Sequence, residues 1–432
     1  MSPQPHVLIV GGSYAGLNAL NQLISLSQGK APQEAPTSGP LKHIRPLNVK
    51  PRYTILDERD GFYHLVGAPL SMISSNIAWE FWVPFQHIIK TKEGYTDVSF
   101  VHGKATSLNE AAKKMDYKTP AGELKSIPYD YLIVATGMAR TAPVVPTAMF
   151  RDQYLKDVKK LENELGQHQK IVLVGGGAVG IEMAAETKVH FPNADVSLIH
   201  SRSQLLSAED LPDDFKAKAA DLVRESGVNV ILGQRVTGNK NVDGGVELTL
   251  SNGETMFANK AIFTAVQQGA NTKFLPSQHW MKDDCYKTRD TLQFPEDLEN
   301  SDVIYAAGDV VSWSGIKRSG PAGNMGKIAA KNIFAQMLAA EDGRAASEIE
   351  FEKLQPVTRA SMSLAVGNQA MSNGGESLRW GPGVKQGAFG RALGLDGKIE
   401  SCYILCVSNT DKMVRDTLET GYPASFAAGS EV

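Results

Sequence analysis

What is scarce in this chain narrows it before any motif is read. Cysteine occurs three times in 432 residues, at Cys285, Cys402 and Cys406, too sparsely for a disulfide scaffold. Cys402 and Cys406 share an apolar stretch, Cys402-Tyr403-Ile404-Leu405-Cys406. Buried structural thiols are the first reading there, and a redox pair the alternative. The nine histidines show no metal-ligand spacing with one another or with cysteine, so no metal is expected. The net charge is only −3 and no long Lys/Arg run occurs, which removes nucleic acid from the expected partners. No apolar stretch approaches the ~18–20 residues of a membrane span. The N-terminus enters a strand-like run at His6 without a basic segment or a long apolar leader. Ser2 stands where N-myristoylation needs glycine, and the terminal Gly-Ser-Glu-Val is no lipidation box or organelle address. The expectation is a cytoplasmic protein with peripheral membrane contact through a surface patch at most. Against these absences, 42% hydrophobic residues and 21% charged ones suffice for two or three globular domains.

The order of elements supplies the next constraint. Val7-Leu8-Ile9-Val10 is a continuous apolar run, as in a parallel strand covered on both faces. Gly11-Gly12-Ser13-Tyr14-Ala15-Gly16 follows as a turn, then Leu17, Leu20 and Ile24 at helical spacing. Residues 29–51 hold five prolines and read as a surface insertion. Tyr53-Thr54-Ile55-Leu56-Asp57 is the next strand and ends on an acid. Short alternating pieces between about 98 and 127, among them Val98-Ser99-Phe100-Val101 and Met115-Asp116-Tyr117, suggest a small antiparallel meander. The opening pattern then recurs: Ile171-Val172-Leu173-Val174, a turn Gly175-Gly176-Gly177-Ala178-Val179-Gly180, a helix from Ile181 to about Val189, and a strand Asp195-Val196-Ser197-Leu198-Ile199. Two nucleotide-binding halves are therefore expected.

In the first half, Gly11 permits the tight turn and Gly16 lets the helix pack close to the sheet. Gly12 and Ser13 complete the turn, and Ser13 stands where the fingerprint has its second glycine. A diphosphate would rest on the helix N-terminus, with Asp57 accepting from the adenosine ribose. In the second half Gly175, Gly177 and Gly180 match the fingerprint fully. There the strand runs into His200-Ser201-Arg202 without an acid. Loss of that acid with an Arg nearby favours the 2′-phosphate of NADPH over NADH, with Arg202 as its partner and Ser201 assisting. A solvated loop charge is the alternative for Arg202.

Tyr129-Asp130-Tyr131-Leu132-Ile133-Val134-Ala135-Thr136-Gly137 resembles the strand-to-crossover signature of the pyridine-nucleotide–disulfide oxidoreductase superfamily. Asp302-Val303-Ile304-Tyr305-Ala306-Ala307-Gly308-Asp309 resembles its second FAD motif, and residues 175–188 with 197–201 resemble the ferroptosis suppressor and apoptosis-inducing-factor-like branch. The resemblance covers roughly residues 6–345 and is weaker beyond. It implies an α/β protein with two Rossmann-like dinucleotide-binding domains of glutathione-reductase-like, three-layer ββα build. The expected division is 1–146 and 272–345 for the two parts of an FAD domain, 147–271 for an NAD(P)H domain, and 346–432 for a smaller C-terminal α+β domain. The implied cofactors are FAD and NAD(P)H, with Thr136, Gly137, Gly308 and Asp309 at the flavin and Asp309 on its ribityl chain. A helix near Gly323–Lys327 would aim its N-terminus at the flavin.

Disulfide reductases of this superfamily carry a cysteine pair just after the first acid-bearing strand. Here that region reads Phe62-Tyr63-His64-Leu65-Val66-Gly67-Ala68-Pro69-Leu70. The resemblance thus implies hydride passed from NAD(P)H to FAD and delivered directly to a small organic acceptor, quinones fitting the branch. Glu182 is the expected catalytic residue facing the nicotinamide; a first-turn Glu held by the helix dipole is the bland alternative. His64, with Tyr63, is expected beside the flavin. Two other readings stay open: an enzyme for a specialised metabolite, its pocket built with Trp313 and Trp380, and a nucleotide-gated interaction protein.

Overall fold

The computed structural model describes residues 3–30, 44–90, 97–140, 142, 144–167, 169–264, 267–357, 359–374 and 377–390. The Cys402/Cys406 pair and most of the 29–51 insertion lie outside them. The chain begins with β1 (His6–Val10) and α1 (Tyr14–Ser27), then β2 (Arg52–Asp57) and β3 (Val98–His102). Three further strands, β4 (Lys104–Asn109), β5 (Lys114–Lys118) and β6 (Leu124–Pro128), precede β7 (Tyr131–Val134). After α2 (Arg151–Gly166) come β8 (Lys170–Val174), α3 (Ala178–His190), β9 (Asp195–His200), α4 (Asp213–Glu225) and β10 (Asn229–Leu232). A hairpin series β11 (Val236–Val242), β12 (Gly245–Leu250) and β13 (Thr255–Ala258) leads to β14 (Lys260–Phe263). The described chain closes with β15 (Ile304–Ala306), α5 (Ser319–Glu341), β16 (Ser363–Val366), β17 (Gln369–Ser372), β18 (Arg379–Gly381) and α6 (Pro382–Ala388).

Two parallel sheets organise these elements. The first has the order β15-β7-β1-β2-β3 and the second β10-β9-β8-β14. Every residue of β1 is buried, which is why the segment reads as an uninterrupted apolar run. Strand β15 returns to the first sheet from far along the chain, beside β7. Helices α1 and α5 pack together with backbones close: a Cβ on Gly326 would fall 2.1 Å from the Ala15 carbonyl oxygen. The antiparallel strands β4–β6 add Leu108, Met115, Tyr117 and Ile127 to the same core, giving the ββα layering expected.

One element differs from the sequence reading. Val98–His102 pairs in parallel with β2 instead of joining the meander. It is the edge strand, with only Val98 buried, so one wet face gives it the alternation of an antiparallel strand. Beyond residue 359 the described residues form a small sheet and helix, and Met362, Leu364, Val366 and Met371 pack with Ile181, Met183 and Ala184 on α3. No described helix is long and apolar enough to cross a membrane.

Candidate active site

The residues named for the first half, Gly16 and His64 apart, line one cleft of about 1310 Å³, larger than the ~300–1,000 Å³ typical of small-ligand sites. Gly11 turns the chain at φ +104°, and a Cβ there would meet the Ala135 carbonyl oxygen at 2.4 Å. Ser13 caps α1 with extended backbone and makes no side-chain cap bond. Ser13 and the first residues of the helix line the cleft, the arrangement that receives phosphate. Asp57 ends β2 and accepts hydrogen bonds from the N–H of Gly12 at 2.7 Å and of Arg59 at 2.8 Å. Burial pushes its carboxyl above the usual range, against those two donors; ribose hydroxyls would supply further donors.

Thr136 and Gly137 form one wall through a reciprocal clasp with Asn271. Thr136 Oγ1 donates to the Asn271 carbonyl at 2.8 Å, Asn271 Nδ2 donates to the Thr136 carbonyl at 2.9 Å, and Asn271 N–H donates to the Gly137 carbonyl. Asp309 follows β15 after Gly308 (φ +85°) and lines the cleft. Lys317 Nζ donates to the Asp309 carbonyl at 2.5 Å and to that of Val311 at 2.9 Å, closing the loop that leads into α5. The N-terminus of α5, Ser319 to Ala322, opens into the same space, also without a side-chain cap bond. The sequence suggests this helix near Gly323–Lys327; it starts four residues earlier. The glycine turn, two uncapped helix ends, Asp57 and Asp309 together fit an extended dinucleotide such as FAD.

The second half reaches the cleft through the beginning of α3, at Ala178, Val179 and Glu182, and through its boundary segments at Thr147, Met149, Ala270 and Asn271. Glu182 Oε1 accepts from the N–H of Ala365 at 3.2 Å. Burial lifts its carboxyl to about 8, with Ala365 N–H and Lys385 opposing and Glu186 adding to the shift. Glu186 is itself buried and pairs with Lys385 at 3.3 Å. Such a displaced carboxyl in a cleft marks a functional candidate.

Tyr63 lines the cleft, but His64 does not. The His64 ring is fully buried, shares a 3.0 Å hydrogen bond through Nδ1 with the Tyr14 hydroxyl, and packs edge-on against Tyr14. It supports Tyr14, which does line the cleft, so His64 stands one side chain back from the space the flavin would fill. Trp313 lines a separate small hollow and Trp380 is half exposed beneath Lys218; neither lines the main cleft. Sequence reasoning missed Lys317, Phe274, Met362 and Phe389, all in the lining. Lys317 follows Asp309 within a Gly/Ser-containing turn, which is a usable signal; the three apolar residues carry none.

The second turn repeats the first. Gly175 turns at φ +123°, and a Cβ on Gly180 would fall 1.8 Å from the Gly175 carbonyl oxygen. Gly175, Gly177 and His200 lie outside the lining of the main cleft, as does Arg202, which is exposed on the bend after β9.

The family described as pyridine nucleotide-disulphide oxidoreductase matches residues 5–336. Oxidoreductase OXR1 of Ajellomyces capsulatus is 36% identical over 86% of this chain and 81% of its own length. Ferroptosis suppressor protein 1 of Homo sapiens is 27% identical over 54% of this chain and 53% of its own, so the chain spans about half of that relative. Among solved structures, a NAD-dependent persulfide reductase from A. fulgidus superposes with a TM-score of 0.62 at 17% identity, covering 85% of this chain and 63% of that one. A ferredoxin reductase from Rhodopseudomonas palustris gives 0.61 at 14% identity, over 85% and 82%. The family match, with two Rossmann-like halves around a cleft built for an extended dinucleotide, makes this chain a member of the pyridine nucleotide–disulphide oxidoreductases and an FAD-dependent NAD(P)H oxidoreductase.

Proposed function

We propose that the protein passes electrons from NAD(P)H through FAD directly to a quinone-like acceptor, without a dithiol relay. The observation that carries this reading is the wall after Asp57. Where disulfide reductases of the family hold a cysteine pair, this cleft is lined by Tyr63, Leu65, Val66 and Pro69. Cys285 is buried, its sulfur directed at the Asp309 carbonyl at 3.9 Å. Met362 and Phe389, at the ends of the C-terminal sheet and helix that pack against α3, give the cleft apolar lining suited to a planar acceptor.

FAD, when bound, supplies the two-electron store that the side chains lack. The protein's share is to hold and to protonate. Ser13 and the α1 N-terminus would hold the diphosphate, Asp57 the adenosine ribose, and Asp309 the ribityl chain. The uncapped start of α5 favours negative charge at the flavin's edge. Reduction of a quinone by NAD(P)H consumes one hydride and one proton: NAD(P)H + H⁺ + quinone gives NAD(P)⁺ + hydroquinone. With its carboxyl lifted to about 8, Glu182 keeps a proton at neutral pH and faces the cleft where that proton is needed.

The test is stopped-flow reduction by NADH and NADPH, followed by reoxidation with quinones, disulfides and molecular oxygen. Fast reoxidation by quinones and none by disulfides is expected; the reverse order overturns the proposal. Replacing Cys285, Cys402 and Cys406 together by Ala should leave both half-reactions largely intact. A triple variant that still takes electrons from NADPH but stalls before delivery would reclassify the protein as a dithiol reductase.

A further inference from the structure

Five cations line the cleft among the described residues, and four of them are accounted for. Arg59 donates to the Pro146 carbonyl at 3.3 Å, and Lys104 pairs with Glu58 at 3.3 Å. Lys317 is committed to the Asp309 and Val311 carbonyls. Lys273 is exposed and keeps its charge in water. Arg318 differs from all of these. It is half-buried, its Nε is shielded from water, and among the described residues it makes no hydrogen bond or ion pair.

Its surroundings hold no acceptor in reserve. Arg318 stands immediately before α5 with extended backbone, so its guanidinium adds to the positive start of that helix. Ile316, two residues earlier, packs into the apolar core of the second half, which puts this loop where the two halves meet. Glu209, beyond β9 in the second half, supplies an opposing charge but forms no ion pair with Arg318. Burial weakens both charges: it holds the guanidinium below its ordinary pKa and lifts the Glu209 carboxyl above its own. A guanidinium kept partly out of water without an acceptor carries a free-energy cost that a bound oxyanion offsets.

The two dinucleotides have anion seats elsewhere. The start of α1 suits the diphosphate of FAD, and the glycine turn before α3, also without a side-chain cap, suits that of NAD(P)H. We propose that the electron acceptor is itself an anion: a planar, quinone-like molecule bearing a carboxylate, which Arg318 grips through its two-pronged guanidinium. This rests on direct delivery of electrons to a quinone-like acceptor and names the class of that acceptor. The carboxylate is a handle only. Two electrons and two protons go to the quinone carbonyls, and the carboxylate keeps its bonds and its charge.

The test compares a naphthoquinone carboxylate with its methyl ester as oxidants of the FAD-loaded protein after reduction by NADPH, in stopped flow. Arg318→Gln should slow reoxidation by the carboxylate roughly ten- to a hundredfold while the ester rate holds. Arg318→Lys, which keeps the charge without the fork, should fall between. Glu209→Gln removes a competing carboxylate and should speed the anionic acceptor alone. Reduction by NADPH should be the same in every variant. Separately, naphthoate, which flavin does not reduce, should bind the oxidised protein in calorimetric titration and lose that affinity in Arg318→Gln. Equal slowing with both oxidants would make Arg318 a flavin-holding residue, and slower reduction by NADPH a dinucleotide-holding one. Either result, an unchanged carboxylate rate, or a wild type that does not bind naphthoate would overturn the proposal. If neither quinone reoxidises wild type, the quinone reading falls and this inference with it. If the ester works and the carboxylate is used no better by wild type than by Arg318→Gln, only this inference falls.

Discussion

Replacing Gly16 with valine should yield a protein that cannot hold FAD, whereas the matching change at Gly180 should leave it yellow and unresponsive to NADPH. The two glycines are equivalents in the repeated halves. A Cβ on Gly16 would lie 1.9 Å from the Gly11 carbonyl oxygen, and one on Gly180 1.8 Å from that of Gly175. Both obstacles are backbone, so no rotamer change relieves them. The helix must lift off its glycine turn, and the N–H groups aimed at the diphosphate move with it. Overpacking of this kind costs about 1–3 kcal/mol or more in stability, less damage than the loss of an aligned phosphate site. The check is flavin absorbance after purification, then anaerobic titration with NADPH. Retention of FAD by Gly16→Val, or normal reduction of Gly180→Val, would contradict the placement of the two nucleotides.

Glu182→Gln should separate from wild type as pH rises. A carboxyl displaced upward by burial keeps its proton in the native state after the unfolded chain has released it. Its contribution to stability is therefore complete below about pH 4.5 and falls as pH climbs toward about 8. The full displacement overstates the loss, because the side chain is only partly shielded; about 2–4 kcal/mol is the expected scale. Glutamine keeps the acceptor for Ala365 N–H and has no proton to lose, so its melting temperature should fall less over this window. In single-turnover experiments the variant should be reduced by NADPH near the wild-type rate but deliver to a quinone more slowly, with the pH dependence near 8 removed. Parallel melting curves would place the Glu182 carboxyl in the ordinary range and end its assignment as proton holder.

The legible part of this protein is where backbone conformation restricts the residue type. The turns at Gly11 and Gly175 could be read because only glycine takes their left-handed conformation without strain. The runs of β1 and β8 could be read because a strand covered on both faces must be apolar throughout, and Asp57 because it closes such a run. What could not be read depends on side chains meeting across distance. His64 lies one residue past cleft-lining Tyr63, yet Tyr14 stands between it and the opening. Phe274 and Phe389 line one cleft from positions more than a hundred residues apart. His200 marks only the absence of an acid until its bond to Gly176 is visible. Val98–His102 reads as antiparallel because an edge strand of a parallel sheet, wet on one face, carries the same polarity pattern.

The close pair α1 and α5 has a consequence for how the protein matures. Both helices follow strands of one parallel sheet, so they run in the same direction, and both begin at the cleft without a side-chain cap. Each aligned helix concentrates roughly half a positive charge at its start. Side by side, with Gly326 against Ala15, the two ends repel. At the far end Arg45 clamps the last turn of α5, pairing with Glu341 at 2.7 Å and Asp342 at 2.6 Å. The base of α5 is thus held, while the two positive helix ends meet at the cleft. A dianionic diphosphate relieves that repulsion, so the cofactor works as the last piece of the fold: a chain made in flavin-poor cells would be loosest at the mouth of its own active site.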